Sequence, residues 1–267
     1  MLDHALSAPN PDLLNAARIR RANKADRLFH LTTRACAAFL LIVFAGIFVM
    51  LVQGAMPSIR EFGLPFLWTE TWNPVGEVFG AAAPIYGTIV TSIIAMLIAI
   101  PLGIGIAIFL TELCPRRLRR SVGIAIELLA GIPSIIYGIW GFFVLVPILQ
   151  QYVQPSAIAL FDGTPVLETL FAGPPYGIAV STAGLILAIM VLPFITAITR
   201  DVFETVPNVL KEAAYGMGAT TWEVVWNIVL PYARSGVLGG VMLALGRALG
   251  ETMAVTFVIG NAHRIAS

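Results

Sequence analysis

Of the 267 residues in this chain, 58% are hydrophobic and 12% charged, and the mean hydropathy is +0.88. An ordinary soluble domain carries roughly 25% charged residues, so a water-soluble globule is excluded. With 16 Lys and Arg against 15 Asp and Glu the formal net charge is +1, which gives no bulk pull toward nucleic acid. The two cysteines, Cys36 and Cys114, stand in no metal-ligand or redox spacing and read as free packing thiols.

A hydrocarbon core about 30 Å thick is crossed by about 20 apolar residues at 1.5 Å each. After a basic segment, 1–34, a transmembrane domain over 35–267 shows five such runs: about 35–52, 85–111, 122–149, 177–199 and 236–260. The second contains Pro101. The third contains Glu127 and Pro133, and the fifth contains Arg247 and Glu251. Lipid offers no partners to bare backbone, and the intervening segments lack the alternation of a barrel, so the class is all-α and polytopic.

Basic residues set the orientation, because short loops rich in Lys and Arg are retained on the cytoplasmic side. Arg18, Arg20, Arg21, Lys24, Arg27 and Arg34 precede the first run, whereas the next loop holds only Arg60. Arg116, Arg117, Arg119 and Arg120 follow the second run, and the stretch from Gln150 to Tyr176 has no Lys or Arg. The expected N-terminus is therefore cytoplasmic, and five spans leave Ser267 outside. The first run starts too late for a signal peptide and is long enough to remain as an anchor.

The loop 200–235 is patterned as two short helices joined by a glycine turn. Pro207 suits a helix start, Val209, Leu210, Ala213, Ala214 and Met217 give an apolar stripe, and Gly216 and Gly218 end it. Thr220 and Glu223 have capping-box spacing for a second helix bearing Trp222, Val225, Trp226 and Val229, expected to stop at Pro231. Such a unit is shaped to dock in a groove. Its other reading is an amphipathic helix lying on the membrane, although these usually carry more Lys and Arg.

A charge near the middle of the fifth run costs about 3 kcal/mol on insertion scales, so intramembrane ions face a partner or a polar pathway. In a continuous helix Glu251 lies one turn beyond Arg247 on the same face and pairs with it. The pair either locks the bundle or lines a route for an anion. Glu127, just inside the cytoplasmic end of the third run, is either another lining group or an acid that reaches the interface. Pro133 frees the carbonyl of Leu129 beside Ser134 and Tyr137, giving either a polar face toward a pathway or a packing kink.

Glu212, Ala213, Ala214, Gly218, Ile228, Leu230 and Pro231 together resemble the EAA loop of ABC importer permeases, all seven fixed positions being met. The resemblance implies an ABC type I importer permease (MetI-like) fold in which this loop inserts into a cleft of a separate ATPase subunit. Those seven residues would then be the ATPase-coupling element. A narrower resemblance, to phosphate permease subunits, covers most of the chain from Ser58. It is carried by REFGLPFLWTETWNP from Arg60, APIYGTIVTS from Ala83, AIELLAGIPSIIYGIWG from Ala125 and LGRALGETMAVTFVIGN from Leu245.

That resemblance implies phosphate import across a bacterial inner membrane by two different permeases, an ATPase dimer that binds ATP and Mg, and a periplasmic phosphate-binding protein. It also implies a sixth helix, expected but absent from the given sequence. Arg247, Glu251, Glu127, Ser134 and Tyr137 are the candidate pathway or gate residues. Sulfate and molybdate permeases share the general plan, so the residues alone leave the oxyanion open. A channel or secondary transporter accommodates intramembrane charge but gives no reason for an ATPase-docking loop. The only lysines, Lys24 and Lys211, follow no phosphate-binding glycine loop, and His4, His30 and His263 lie outside the runs. Neither an ATPase nor any other enzyme is expected, nor a metal or cofactor of the chain's own.

Overall fold

The computed structural model describes residues 11–73, 76–153 and 180–259. Most of the expected outer loop 150–176, and the stretch from Asn261 to Ser267, fall outside the described residues. Among those described, the regular elements are helical apart from an isolated antiparallel bridge between Asn73 and Val78. The chain forms two compact units, Met1–Pro65 and Phe66–Ser267.

The first unit is built on helix α1 (Pro11–Phe62), whose 52 residues span about 78 Å at 1.5 Å each. The run predicted at 35–52 lies inside it, with Leu41, Ile42 and Phe44 at least 70% exposed. In water that surface would be prohibitive; in lipid it costs nothing, because acyl chains are as apolar as leucine. Gly63 ends the helix at φ +61°, its N–H donating to the Ile59 carbonyl at 3.0 Å.

The second unit contains α2 (Ala82–Ile108), α3 (Arg116–Ala130), α4 (Ser134–Trp140), α5 (Val146–Ile148), α6 (Val180–Glu204), α7 (Asn208–Gly216), α8 (Thr221–Val224), α9 (Leu230–Leu249) and α10 (Met253–Ile259). Its core joins Ala95 and Ala99 of α2, Ile186, Leu187, Met190, Val191 and Ile195 of α6, Ala244 and Ala248 of α9, and Ala254 of α10. Small residues let these backbones approach, which is how helices associate where the hydrophobic effect gives no drive. A Cβ at Gly184 would lie 2.7 Å from Ile94, and one at Gly103 would lie 2.7 Å from Ile195. The contacts advance together along both chains, so α2 and α6 run parallel. A Cβ at Gly236 would meet Val202 at 2.6 Å and one at Gly240 would meet Ile198 at 2.7 Å, so α6 and α9 are antiparallel. Spans that alternate in direction, with one crossing between α2 and α6 and none between α6 and α9, give this arrangement.

Among the described residues, five helical stretches are long and apolar enough to cross a membrane: Asn23–Phe62, Ala82–Leu113, Ser134–Val153, Val180–Glu204 and Thr221–Leu249. Two expected spans are corrected in detail. The third does not run over 122–149 with a kink. The chain breaks at Gly131 to Pro133, leaving α3 as a separate helix and starting the apolar stretch at Ser134. Proline cannot supply the interior N–H and its ring crowds the preceding turn, and here Gly131 and Ile132 ahead of it let the chain turn instead of bend. The fifth is not one helix over 236–260: α9 stops at Leu249, Gly250 caps it, and α10 begins at Met253. Pro101, by contrast, sits inside an unbroken α2.

Three prolines are accommodated by widening the preceding turn. Wide π-type turns occupy Phe109–Leu113, Gly141–Leu145 and Val225–Val229, just ahead of Pro115, Pro147 and Pro231. In each case the carbonyl four residues before the proline, on Thr111, Phe143 or Asn227, falls within the wide turn. That relieves the clash between the ring and this carbonyl. Pro231 therefore does not stop the second loop helix. Helix α8 passes through the wide turn into α9, and Pro231 occupies the first turn of α9.

Candidate coupling loop and polar residues

The loop 200–235 is anchored by apolar burial before any polar contact is considered. Phe203 and Val206 from the end of α6, Ala214 from α7, Val224 and Val229 from the second loop helix, and Ala107 from α2 form one buried cluster. Ile228 and Leu230 pack against it. Helix α7 starts after Pro207 and ends in a Schellman arrangement. Gly218 N–H donates to the Tyr215 carbonyl at 3.0 Å and Ala219 N–H to the Ala214 carbonyl at 3.1 Å. This closure needs a left-handed residue at Gly218, where φ is +89°. The next helix starts on the expected capping box: Glu223 Oε2 accepts from Thr220 N–H at 2.7 Å, and Thr220 Oγ1 accepts from Glu223 N–H at 3.4 Å.

The seven motif residues divide by role in this geometry. Ala214, Ile228 and Leu230 hold the unit together, Gly218 shapes the turn, and Pro231 sits exposed after the wide turn. Glu212 and Ala213 point outward on a stripe with Val209, 73% exposed, and Gly216. One residue of helix is about 100°, so Lys211 faces inward while Glu212 faces out. Lys211 Nζ donates to Glu112 Oε1 at 2.6 Å, with side-chain exposures of 14% and 7%. This contact between residues far apart in sequence was not anticipated.

A second polar cluster lies between α3 and α6. The Arg200 guanidinium meets Glu127 Oε1 at 2.7 Å and Asp201 Oδ1 at 2.8 Å, and Gly123 leaves the room it needs, since a Cβ there would lie 2.7 Å from Arg200 Nη1. Glu127 is thus a half-exposed ion-pair member on a separate helix rather than an acid within the third span. Its partner, Arg200, lies 73 residues further along the chain, and no local pattern marks it.

The remaining pathway candidates are placed as follows. The buried Tyr137 donates its hydroxyl to the Leu129 carbonyl at 2.9 Å, so the carbonyl expected to be freed by Pro133 is occupied. Ser134 opens α4 and is half-buried. Arg247 occupies the last turn of α9 with its guanidinium carbon 5.8 Å from the ring centroid of Phe194 on α6, a cation–π contact. The expected pairing of Arg247 with Glu251 is not formed, because the helix break at Gly250 removes the one-turn relationship on which it depended. Glu251 Oε1 instead accepts from Ala254 N–H at 3.1 Å, capping α10. Among the described residues, Arg247 makes no ion pair. It is an exposed cation, held against an aromatic face, beside a core of small residues.

This fold joins apolar helices long enough to cross a membrane to a compact helical loop. Residues 99–265 match the family of binding-protein-dependent transport system inner membrane components, and the chain belongs to that family. It is 65% identical over 251 residues to the phosphate transport system permease protein PstC of Mesorhizobium japonicum, covering 94% of this chain and 77% of that protein. It is 58% identical over 240 residues to the protein of the same name from Pasteurella multocida, covering 90% and 75%. To phosphate transport system permease protein PstC 2 of Mycobacterium tuberculosis it is 39% identical over 257 residues, covering 94% and 78%. The all-α permease fold and the assignment as a transport component rather than an enzyme stand on these relationships.

Proposed function

We propose that this chain is one half of the translocation pathway of an ATP-driven phosphate importer, working with a second, different permease, an ATPase dimer and a periplasmic phosphate-binding protein. The observation that carries the reading is the loop 200–235. Its outer stripe of Val209, Glu212, Ala213 and Gly216 is free to enter a cleft, while its inner side is locked to α6 and α2. A channel has no use for such a handle. Phosphate is the cargo in the relatives' names, and Arg247 supplies a cation, without an ion pair among the described residues, that suits an oxyanion. In this reading the N-terminus and the loop 200–235 are cytoplasmic, in line with the basic residues of 1–34 and 116–120.

Closure of the ATPase on its nucleotide moves α7. Because α6, α9 and α2 pack through glycine and alanine contacts, that motion passes to the bundle as a rigid-body shift rather than a local deformation. Arg247, held against the Phe194 ring, then compensates a passing anion. The test is uptake of labelled phosphate by vesicles holding the whole complex, with sulfate and molybdate as competitors. ATP-dependent uptake that resists a large excess of either competitor supports the reading; uptake displaced equally by sulfate moves the assignment to another oxyanion.

A further inference from the structure

The end of α2 is gripped from two directions. Ahead of Pro115 the helix widens over Phe109–Leu113, and the Cys114 N–H closes that turn on the Phe109 carbonyl at 2.7 Å. Arg119 of α3 donates to the Thr111 carbonyl. On the next residue, the Glu112 carboxylate receives Lys211 of α7 at 2.6 Å. Among the described residues this is the only ion pair joining the loop 200–235 to α2.

We propose that the Lys211–Glu112 ion pair is the strut through which movement of the coupling helix α7 displaces α2, so that these two are positioning residues for transport although neither touches cargo or nucleotide. The inference rests on the reading of the chain as an ATP-driven permease. Both side chains are largely buried, at 14% and 7% exposed, and separating them would leave two desolvated charges without partners, so the contact stays closed while its two ends move. The neighbouring residue on α7, Glu212, faces outward. A push received on the outer face therefore reaches Lys211 within a single turn of helix. Wide turns of this kind alter register locally with little breakage of hydrogen bonding, which suits the end of α2 to receive that push. Helix α2 packs in parallel along α6, at Gly103 on Ile195 and at Gly184 on Ile94, so its displacement extends through the core.

The experiment compares the complete complex carrying Lys211→Met, Glu112→Gln, Lys211→Arg, or the exchanged pair Lys211→Glu with Glu112→Lys. Phosphate moved per ATP hydrolysed is measured in vesicles, with subunit stoichiometry as the assembly check. The expected result is a fall of about tenfold in phosphate per ATP for either single neutral variant, the scale on which substitutions along a coupling route act. Lys211→Arg and the exchanged pair should recover most of it. Neutral variants that couple as well as the unmodified complex, or an exchanged pair no better than the neutral ones, overturn the strut. Should a neutral variant fail to assemble, Lys211→Arg and the exchanged pair decide by the same ratio. An unmodified complex with no ATP-dependent uptake is a different outcome, and it removes the transport reading together with the strut.

Discussion

The Tyr137 hydroxyl donates to the Leu129 carbonyl at 2.9 Å, across the break that Gly131 and Pro133 make between α3 and α4. The bond turns an interruption of the helix into a fixed corner. Ile132 N–H shares the same acceptor at 3.2 Å, so a backbone group that would otherwise be orphaned in an apolar setting is doubly satisfied. Tyr137→Phe should lower the stability of the complex by about 1 kcal/mol, the net value of one such bond. Thermal unfolding in detergent checks this, and an unchanged midpoint would show that the corner is set by Pro133 alone.

Close helix contact at α9 predicts a sharp contrast between adjacent glycines. A Cβ at Gly240 would lie 2.7 Å from Ile198, whereas nothing lies within 4 Å of one at Gly239. Gly240→Leu should cost about 3 kcal/mol or more through overpacking. Gly239→Ala should be neutral or stabilising by up to about 1 kcal/mol, since alanine is the better helix former. The yield of folded complex on size-exclusion chromatography separates the two.

The turn between α7 and α8 predicts a position-specific sensitivity. Gly218→Ala forces a side chain onto φ +89°, costing about 1–2 kcal/mol, and Thr220→Val removes one arm of the capping box, costing about 1 kcal/mol. Both should speed hydrogen exchange at the amides of Gly218 and Ala219 while leaving exchange in α6 unchanged. Equal acceleration in α6 would mean that the loop is not an independently closing unit.

Arg247, which has no carboxylate partner among the described residues, should be needed for transport and not for folding. Arg247→Gln is expected to abolish phosphate uptake while leaving subunit assembly and ATPase binding intact; normal uptake would remove Arg247 from the route. Glu251 should behave differently, because its carboxylate caps α10. Glu251→Ala should cost about 1 kcal/mol of stability, and Glu251→Gln, which still offers an acceptor, should recover most of it.

Hydropathy made the apolar stretches legible, and turn chemistry made the loop legible: Gly218, Thr220 and Glu223 do what their types and spacing announce. What remained hidden has a common physical origin. A window of apolar residues reports solubility in lipid but not whether the helix is continuous, so the breaks at Gly131 to Pro133 and at Gly250 passed unseen. The expected Arg247–Glu251 pair, which assumed an unbroken helix, went with them. Pro231 misled in the opposite sense, since a wide turn absorbs a proline that would otherwise end a helix. Lys211–Glu112 and Arg200–Glu127 join residues distant in sequence, and no local pattern announces such a pair.

The central claim is that a separate ATPase drives this bundle through α7. Replacing Asn208–Gly216 by a glycine–serine linker of the same length in the complete complex tests it most directly, with ATP-dependent uptake of labelled phosphate and retention of the ATPase measured together. The account predicts that uptake disappears and that the ATPase no longer co-purifies with the permeases. Uptake at the unmodified rate through the altered loop would contradict it.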